Sequence, residues 1–501
     1  MHLPTMARRH AADIAITAFF VAFMVARIAD HAMWRDELNA WGIVLASPTP
    51  AALFHNMHYE GHPALWHMLL WLTAKITAAP AAMKVVHAAI AAGVIVMVGL
   101  VSPFSRLERV LLLAGYFISY EYSVISRNYG ICLLLALVYA QLRIARPDRL
   151  FTNAALLGLM ANTNVYGAIL SGALALEYLV DRVATARRPG ARLEHRLLSA
   201  AMLYLLGFAL AVATMAPAAD IGWEVSQPLT LHASPGHFLK TFLRFIAVPF
   251  VPIKPALLSP AFWLHPNEHD GIASLWLPIL IAGVLCAGIA AIFRRDRVLW
   301  LPIGLAVAGS VIFGHLVYST GIRHWGISFI IFLTALWMQR MRRPGRSALV
   351  LALLAIGAAG GLQAAAAQWI APHSMAGATA RWIERHQLQD AALVGTPDTT
   401  VVAVAEELGR PIYMLECGCV RSYMRFSRDR DGFTPDRIPV ALARAASALR
   451  GRDVLFVVTS PLAPPLLDAI AQQALRLTLL TAQTGARTDE NFYLYRVEQR
   501  P

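Results

Sequence analysis

Residues 63–79 read PALWHMLLWLTAKITAA. A run of this character could form a helix across a bilayer, which takes ~20 apolar residues. Whether it crosses decides the topology of all that follows, because each crossing changes the side on which the next loop lies. The basic residues supply the test. Arg8 and Arg9, Arg106 and Arg109, Arg143, Arg146 and Arg149, five arginines from Arg182 to Arg196, Arg294, Arg295 and Arg297, and four from Arg340 to Arg346 make nineteen in one set of loops. The alternating loops, 30–62, 120–128, 218–271 and 320–326, hold six: Arg35, Arg127, Lys240, Arg244, Lys254 and Arg323. Arginine-rich short loops mark the cytoplasmic side. If 63–79 crossed, Arg106 and Arg109 would move outside and every later loop would invert. The run is therefore predicted to be a juxtamembrane helix at the outer interface.

The composition agrees with a polytopic membrane protein. Of 501 residues, 57% are hydrophobic and 15% charged, against roughly 45–50% and ~25% in soluble chains. This excludes a soluble enzyme, a disordered protein and a disulfide-stapled mini-domain. Long apolar runs fall at about 11–29, 83–101, 197–217, 272–293, 298–319 and 347–366, and shorter ones at about 109–121, 128–142, 151–163, 165–180 and 326–338. Together they predict a mainly α membrane domain over 1–370, with about 11 transmembrane helices plus the juxtamembrane helix. The N-terminus is then cytoplasmic and the C-terminus outside. The N-terminal MHLPTMARRH resembles a signal peptide, but the apolar run ends on Arg27, Asp30 and Trp34 with no small-residue cleavage site. It reads as a retained first span. The net charge of +13 is an address label of the inner face and does not point to nucleic acid.

From about 370 the chain changes character. Segments alternate as ATARWIERHQ, ALVGT, TTVVAVAEELG, IYML, PVALARAASALR, DVLFVVT, PLLDAIAQQAL and ENFYLYRVE. This βαβ rhythm predicts a small extracytoplasmic α/β domain over 371–501 with a mainly parallel sheet. It has no GxGxxG loop and reads as a cap or docking platform. Cys417 and Cys419 form a CGC triplet, in which free thiols and a tight disulfide are both open.

Polar side chains concentrate on the outer ends of the spans. The outer loop 30–62 carries Trp34-Arg35-Asp36-Glu37, then His55, His58, Tyr59, Glu60 and His62. Later loops add Glu121, Tyr122, Arg127, Asn128 and Tyr129, then Asn162, Asn164 and Tyr166, then Arg323, His324 and Trp325. Ionisable groups at membrane depth are costly and functional. Aromatic faces stack on sugars, and guanidinium forks bind phosphate oxygens. Asp36 could act as a general base on an acceptor hydroxyl or amine; Glu37 could share that role, cap the next helix or face solvent. Arg127 and Arg323 are candidate phosphate ligands, supported by Asn128, Tyr129 and His324. Glu121 could pair with an arginine or hold an acceptor. His55, His58, Glu60 and His62 could hold a divalent ion, but the spacing matches no closed site. Hydrogen bonding to sugar and phosphate, with His62 partly cationic, is the commoner use.

Trp34-Arg35-Asp36-Glu37 after the first helix, followed by Tyr59-Glu60-Gly61-His62-Pro63 and Leu65-Trp66-His67, resembles the first outer loop of GT-C glycosyltransferases, in particular the protein O-mannosyltransferase and aminoarabinose transferase group. The hairpin around Ser119-Tyr120-Glu121-Tyr122 and Arg127-Asn128-Tyr129 is similar to the third and fourth spans of that fold. The resemblance covers about 10–370. It implies an enzyme of the bacterial inner membrane that moves a sugar from a polyprenyl-phosphate donor to a lipid, glycan or protein acceptor on the periplasmic face, with inversion. No cofactor is required, though some branches use a divalent metal. Asp36 takes the base or acceptor-orienting role. Members often carry Lys where this chain has His62, which shifts weight for phosphate binding to Arg127 and Arg323.

Two rival readings differ in class. A secondary transporter or flippase would place ionisable residues near the midplane and show paired repeats, neither of which the sequence has. Another lipid-linked transferase using a zinc set in its soluble domain would need more than His373 and His386 in the tail.

Overall fold

The computed structural model describes residues 3–186, 195–222, 234–267, 269–318 and 321–499. Arg187, Arg188 and Arg192 of the arginine-rich loops lie outside the described residues. Among those described, six helices are long and apolar enough to cross a membrane: His10–Asp30, Ala81–Val101, His195–Met215, Ala273–Phe293, Arg297–Leu316 and Ala348–Ile370. Each coincides with one of the long runs. The shorter runs are helical as well: Arg106–Ala114 leading to a π-turn Phe117–Glu121, then Tyr129–Ala145, Leu150–Ala161, Val165–Ala186 and Ile327–Arg342.

The segment 63–79 forms a helix only over Leu65–Ala74. Ten residues rise about 15 Å, half of the roughly 30 Å hydrocarbon core. Its Trp66, His67 and Leu70 are buried, and it packs against Arg35–Leu45 and Ala81–Val96. Indole N–H groups tie this layer down: Trp41 donates to the Ala78 carbonyl at 3.1 Å and Trp71 to the Ser47 carbonyl at 2.8 Å.

The arginine-rich end of the bundle is laced by ion pairs. Asp13 accepts from Arg106 and Arg109, Glu108 from Arg340, Glu177 from Arg143 and Arg342, and Asp296 from Arg342. These arginines do more than mark a side: they bind the helix ends to one another.

The C-terminal domain is a six-stranded sheet flanked by helices. Its strands are β1 (Ala392–Thr396), β2 (Ile412–Met414), β3 (Cys419–Arg421), β4 (Val454–Val458), β5 (Leu475–Gln483) and β6 (Phe492–Gln499), in the order β3-β2-β1-β4-β6-β5. β1 runs parallel to β2 and β4. The other three pairings are antiparallel, so the sheet is mixed, not mainly parallel. β1 and β4 are buried throughout, as continuous apolar strands between two helical layers must be. β5 mixes exposed and partly buried residues, and residues 476–483 have no counterpart among the segments expected from sequence. Cys417 and Cys419 are joined as a disulfide at the turn between β2 and β3.

The two domains share one apolar cluster. Leu38, Trp41 and Val44 of the helix Arg35–Leu45 pack with Val401, Val404 and Met424 of the C-terminal domain. A Cβ on Gly42 would stand 2.3 Å from Glu406 Oε1 and 3.0 Å from Tyr423 Cβ, so a larger residue there would have to push the Glu406 carboxyl aside.

Candidate active site

Asp36 opens the helix Arg35–Leu45, where the sequence turns from an extended residue, Trp34, into helix. The neighbouring Glu37 fixes this entry. Fully buried, it accepts from the Trp34 N–H at 3.3 Å, from the Ser126 N–H at 2.6 Å, and pairs with His31 Nε2 at 2.8 Å. Burial works against its charge, and His31 with the backbone donors outweighs that, holding the carboxyl below its usual range. Of the two adjacent acids, Glu37 is thus engaged by the protein itself, capping the helix and pinning it to the 123–128 loop.

Asp36 faces the other way, into a set of arginines. Arg323 Nη2 lies 2.5 Å from Asp36 Oδ2, and Arg127 Nη1 donates to the Asp36 carbonyl. Burial pushes the Asp36 carboxyl up, but Arg323, then Arg127 and Arg35, outweigh it and bring it down to about 2. The Trp34 ring stands between two guanidinium groups, Arg323 at 5.2 Å and Arg35 at 5.5 Å from its centroid, and meets His373 edge-on. The indole therefore orients cations.

His62 receives Arg127 Nη2 at 3.2 Å on its Nε2. Arginine has no acceptor, so that nitrogen carries no proton. Burial, then Arg127, keeps the imidazole well below its usual pKa, so His62 is neutral, not partly cationic as expected. Glu60 is held by Asn39 Nδ2 at 2.6 Å, one turn along the helix from Asp36, and Asn39 is fixed in turn by the Met424 N–H at 2.7 Å. Burial pushes Glu60 up to about 7, Arg127 opposing and Asp36 adding to the rise. His324 is buried among Tyr129, Tyr166 and Tyr318; burial, then Arg323, keeps it neutral. Asn128, buried, precedes the helix Tyr129–Ala145, and Tyr129 stacks on Tyr122 at 5.7 Å.

The structure thus brings Trp34, Asp36, Glu60, His62, Arg127, Tyr129, Arg323 and His324 into one neighbourhood. Glu121 lies to one side, its carboxylate accepting from Tyr116 O–H at 2.8 Å. Asn162 and Asn164 are spent on backbone groups at helix ends. The metal reading finds no support. His55 is exposed, and His58 Nδ1 is bonded to the Ala216 carbonyl at 2.5 Å. Among the described residues the one cluster of potential ligands is Cys417, Cys419 and Asp429, whose sulfurs are in the disulfide.

Sequence reasoning missed the share of the C-terminal domain. Arg35 donates to Asp489 and Thr400 at 2.9 Å, and its backbone N–H to Glu490 at 2.9 Å. Arg487 Nη2 donates to Tyr120 O–H at 2.6 Å and approaches His373 Nδ1 at 3.4 Å. The charged ARTDE stretch between β5 and β6, unneeded by a sheet, was the available signal.

No protein-family model and no curated protein sequence matches the chain. Solved structures do. ArnT from Cupriavidus metallidurans in the apo state aligns at TM-score 0.53 and 13% identity over 96% of this chain and 97% of that one. The chain has the ArnT fold. The same ArnT bound to undecaprenyl phosphate aligns at TM-score 0.52 and 14% identity, with the same coverage. A match of this extent takes in the C-terminal domain as well as the helices, so the ArnT fold includes the part for which the sequence offered no likeness. It also accords with the GT-C resemblance of the first outer loop.

Proposed function

We propose that this chain is a membrane glycosyltransferase that moves a sugar from a polyprenyl-phosphate donor to a lipid, glycan or protein acceptor at the periplasmic face of a bacterial inner membrane. The observation that carries this reading is the Asp36 carboxylate held against Arg323 and beside Arg127. The ArnT fold, one example of which binds undecaprenyl phosphate, supports the lipid-linked donor.

The chemistry follows from the side chains. The acceptor O–H or N–H lies against Asp36, which takes its proton as the nucleophile attacks the anomeric carbon. The bond from that carbon to the phosphate oxygen breaks, and its electron pair leaves with the lipid phosphate. Arg323 and Arg127 stabilise the charge that develops there. A single displacement inverts the anomeric centre. Arg323 ties the two events together: a guanidinium drawn toward the donor phosphate withdraws from Asp36, whose basicity then rises. Glu37 positions Asp36 from behind, and Glu60 and His62 line the neighbouring wall as hydrogen-bonding groups for sugar or acceptor.

The test is release of free polyprenyl phosphate from a polyprenyl-phosphate sugar by the reconstituted protein with cell-envelope acceptors, followed by mass spectrometry. Transfer by the wild type and its loss in Asp36→Asn is the expected result. Full transfer by Asp36→Asn would remove the base assignment.

A further inference from the structure

The disulfide between Cys417 and Cys419 spans a sequence separation of 2. The chain entropy that a disulfide removes grows with the loop it closes, so this short loop contributes little to stability. The hairpin does not need the bond either. β2 and β3 already pair through Ile412 with Arg421, Tyr413 with Val420 and Met414 with Cys419. Gly418, between the two cysteines, is exposed and takes φ +61°, the left-handed conformation that suits glycine in a tight turn.

The surroundings of the sulfurs are more specific than a clip between strands requires. A carboxylate oxygen of Asp429 lies within 4.8 Å of both. That carboxylate is fixed: Arg421 Nη2 donates to it at 2.5 Å and Ser427 O–H at 2.5 Å, and Arg421 also donates to Ser427 Oγ at 3.2 Å. The arginine comes from β3 and the acid from the 428–430 turn, so two segments converge on the disulfide. The Asp429 side chain is 42% exposed, which leaves it open to an incoming molecule. Glu416, next to Cys417, is turned away, accepting from Thr396 O–H at 2.6 Å and from the Asp398 N–H at 3.1 Å. Thiol–disulfide exchange needs a thiolate, and so a proton acceptor beside the incoming thiol and a cation that favours the charged sulfur. Asp429 and Arg421 supply one of each.

We propose that the Cys417-Gly418-Cys419 turn is a thiol–disulfide exchange site that oxidises a dithiol partner. This is independent of the transferase reading. β3 is the edge strand of the sheet, so Cys419 is the sulfur to be attacked, while Cys417 packs against the apolar cluster shared by the two domains. The partner's first thiol gives its proton to Asp429, and the thiolate attacks Cys419 Sγ. The bond between the two cysteines breaks, its electron pair goes to Cys417 Sγ, and Asp429 returns the proton there. The partner's second thiol attacks the partner sulfur of the mixed disulfide. That bond breaks toward Cys419, which takes the second proton. The partner leaves as a disulfide, and Cys417 and Cys419 are left as thiols.

The experiment is reduction of the oxidised full-length protein in nanodiscs by dithiothreitol, followed by alkylation and mass spectrometry of the peptide that carries both cysteines. Reading that peptide keeps the free Cys132 and Cys286 out of the signal. The native protein should be reduced at least about tenfold faster than the same chain unfolded in urea, the gain expected of a positioned proton acceptor. Asp429→Asn keeps the shape and can still accept from Arg421; it should remove that gain while the oxidised protein melts as wild type does. Cys417→Ser, treated with oxidised glutathione, should hold a mixed disulfide at Cys419. Reduction should leave the melting temperature of the wild type almost unchanged. Native reduction no faster than in urea, equal rates in wild type and Asp429→Asn, or a large fall in melting temperature on reduction would each make the bond a structural clip and overturn the proposal.

Discussion

Arg323, just ahead of the helix Ile327–Arg342, holds Asp36, in the second residue of the helix Arg35–Leu45, with Nη2 2.5 Å from Oδ2. Two loops remote in sequence are closed on each other by one ion pair, and that pair is where a proton would be accepted and a phosphate charge neutralised. Asp36→Asn keeps the shape and removes the basicity. Transfer should fall by about 10²–10⁴, the usual worth of a positioned acid or base. The melting temperature should move by only a few degrees, since the amide keeps the size and shape of the side chain, which is partly open to solvent at 24% exposure, and can still accept from Arg323. Single-turnover sugar transfer and a thermal melt measure the two quantities.

Arg323→Ala should act first on the donor. Loss of a charge-assisted fork to phosphate is expected to weaken donor affinity at least tenfold and to lower transfer as well. Donor binding by the purified variant decides the matter; affinity equal to wild type would remove Arg323 from the phosphate.

Glu37→Gln separates support from chemistry. The carboxylate has three partners at zero exposure, and a neutral amide must turn one donor toward them. The expected cost is about 2–3 kcal/mol of stability, the range for buried hydrogen bonds to a charged group. A drop in melting temperature accompanied by a smaller fractional loss of transfer than in Asp36→Asn is the expected pattern.

Glu490 gives a pH dependence with a definite sign. It is fully buried, accepts the Arg35 N–H, and burial pushes its carboxyl up to about 7. An acid whose folded pKa exceeds its unfolded value of ~4.3 binds more protons when folded. Its ionisation therefore costs nothing below that value, costs progressively more between ~4.3 and about 7, and reaches its full penalty above 7. The penalty is about 4 kcal/mol at most. Glu490→Gln should melt close to wild type at pH 5 and above it at pH 9.

Much of the fold was readable because membrane insertion imposes strong, simple signals. Length and hydropathy placed the long helices, and within 63–79 only the ten residues Leu65–Ala74 are helical. β1 and β4 were readable because a strand covered on both faces must be continuously apolar. β5 was not: exposed residues interrupt its apolar ones, so 476–483 carried neither a continuous apolar run nor a clean alternation. In the site, Asp36, Arg127 and Arg323 stood out because charge at an outer helix end is rare. Arg487, Glu490 and Asn39 did not. In a soluble domain or an amphipathic helix such residues are ordinary, and only the docking of two distant parts of the chain gives them a task. Glu37, also conspicuous in sequence, takes the capping option among those open to it: its partners are the Trp34 and Ser126 N–H groups and His31.

The contact of Gly42 with Glu406 and Tyr423 bears on how such a protein can be taken apart. The helix that carries Asp36 belongs as much to the C-terminal domain as to the membrane bundle, since its Arg35, Asn39 and Gly42 all close against residues beyond 370. Cutting the chain there would not yield a membrane catalyst without its cap. It would strip one side from the helix that begins the candidate site. Modules of this architecture should therefore be exchanged between relatives only with the first outer loop and the C-terminal domain moved together, as a single inheritable part.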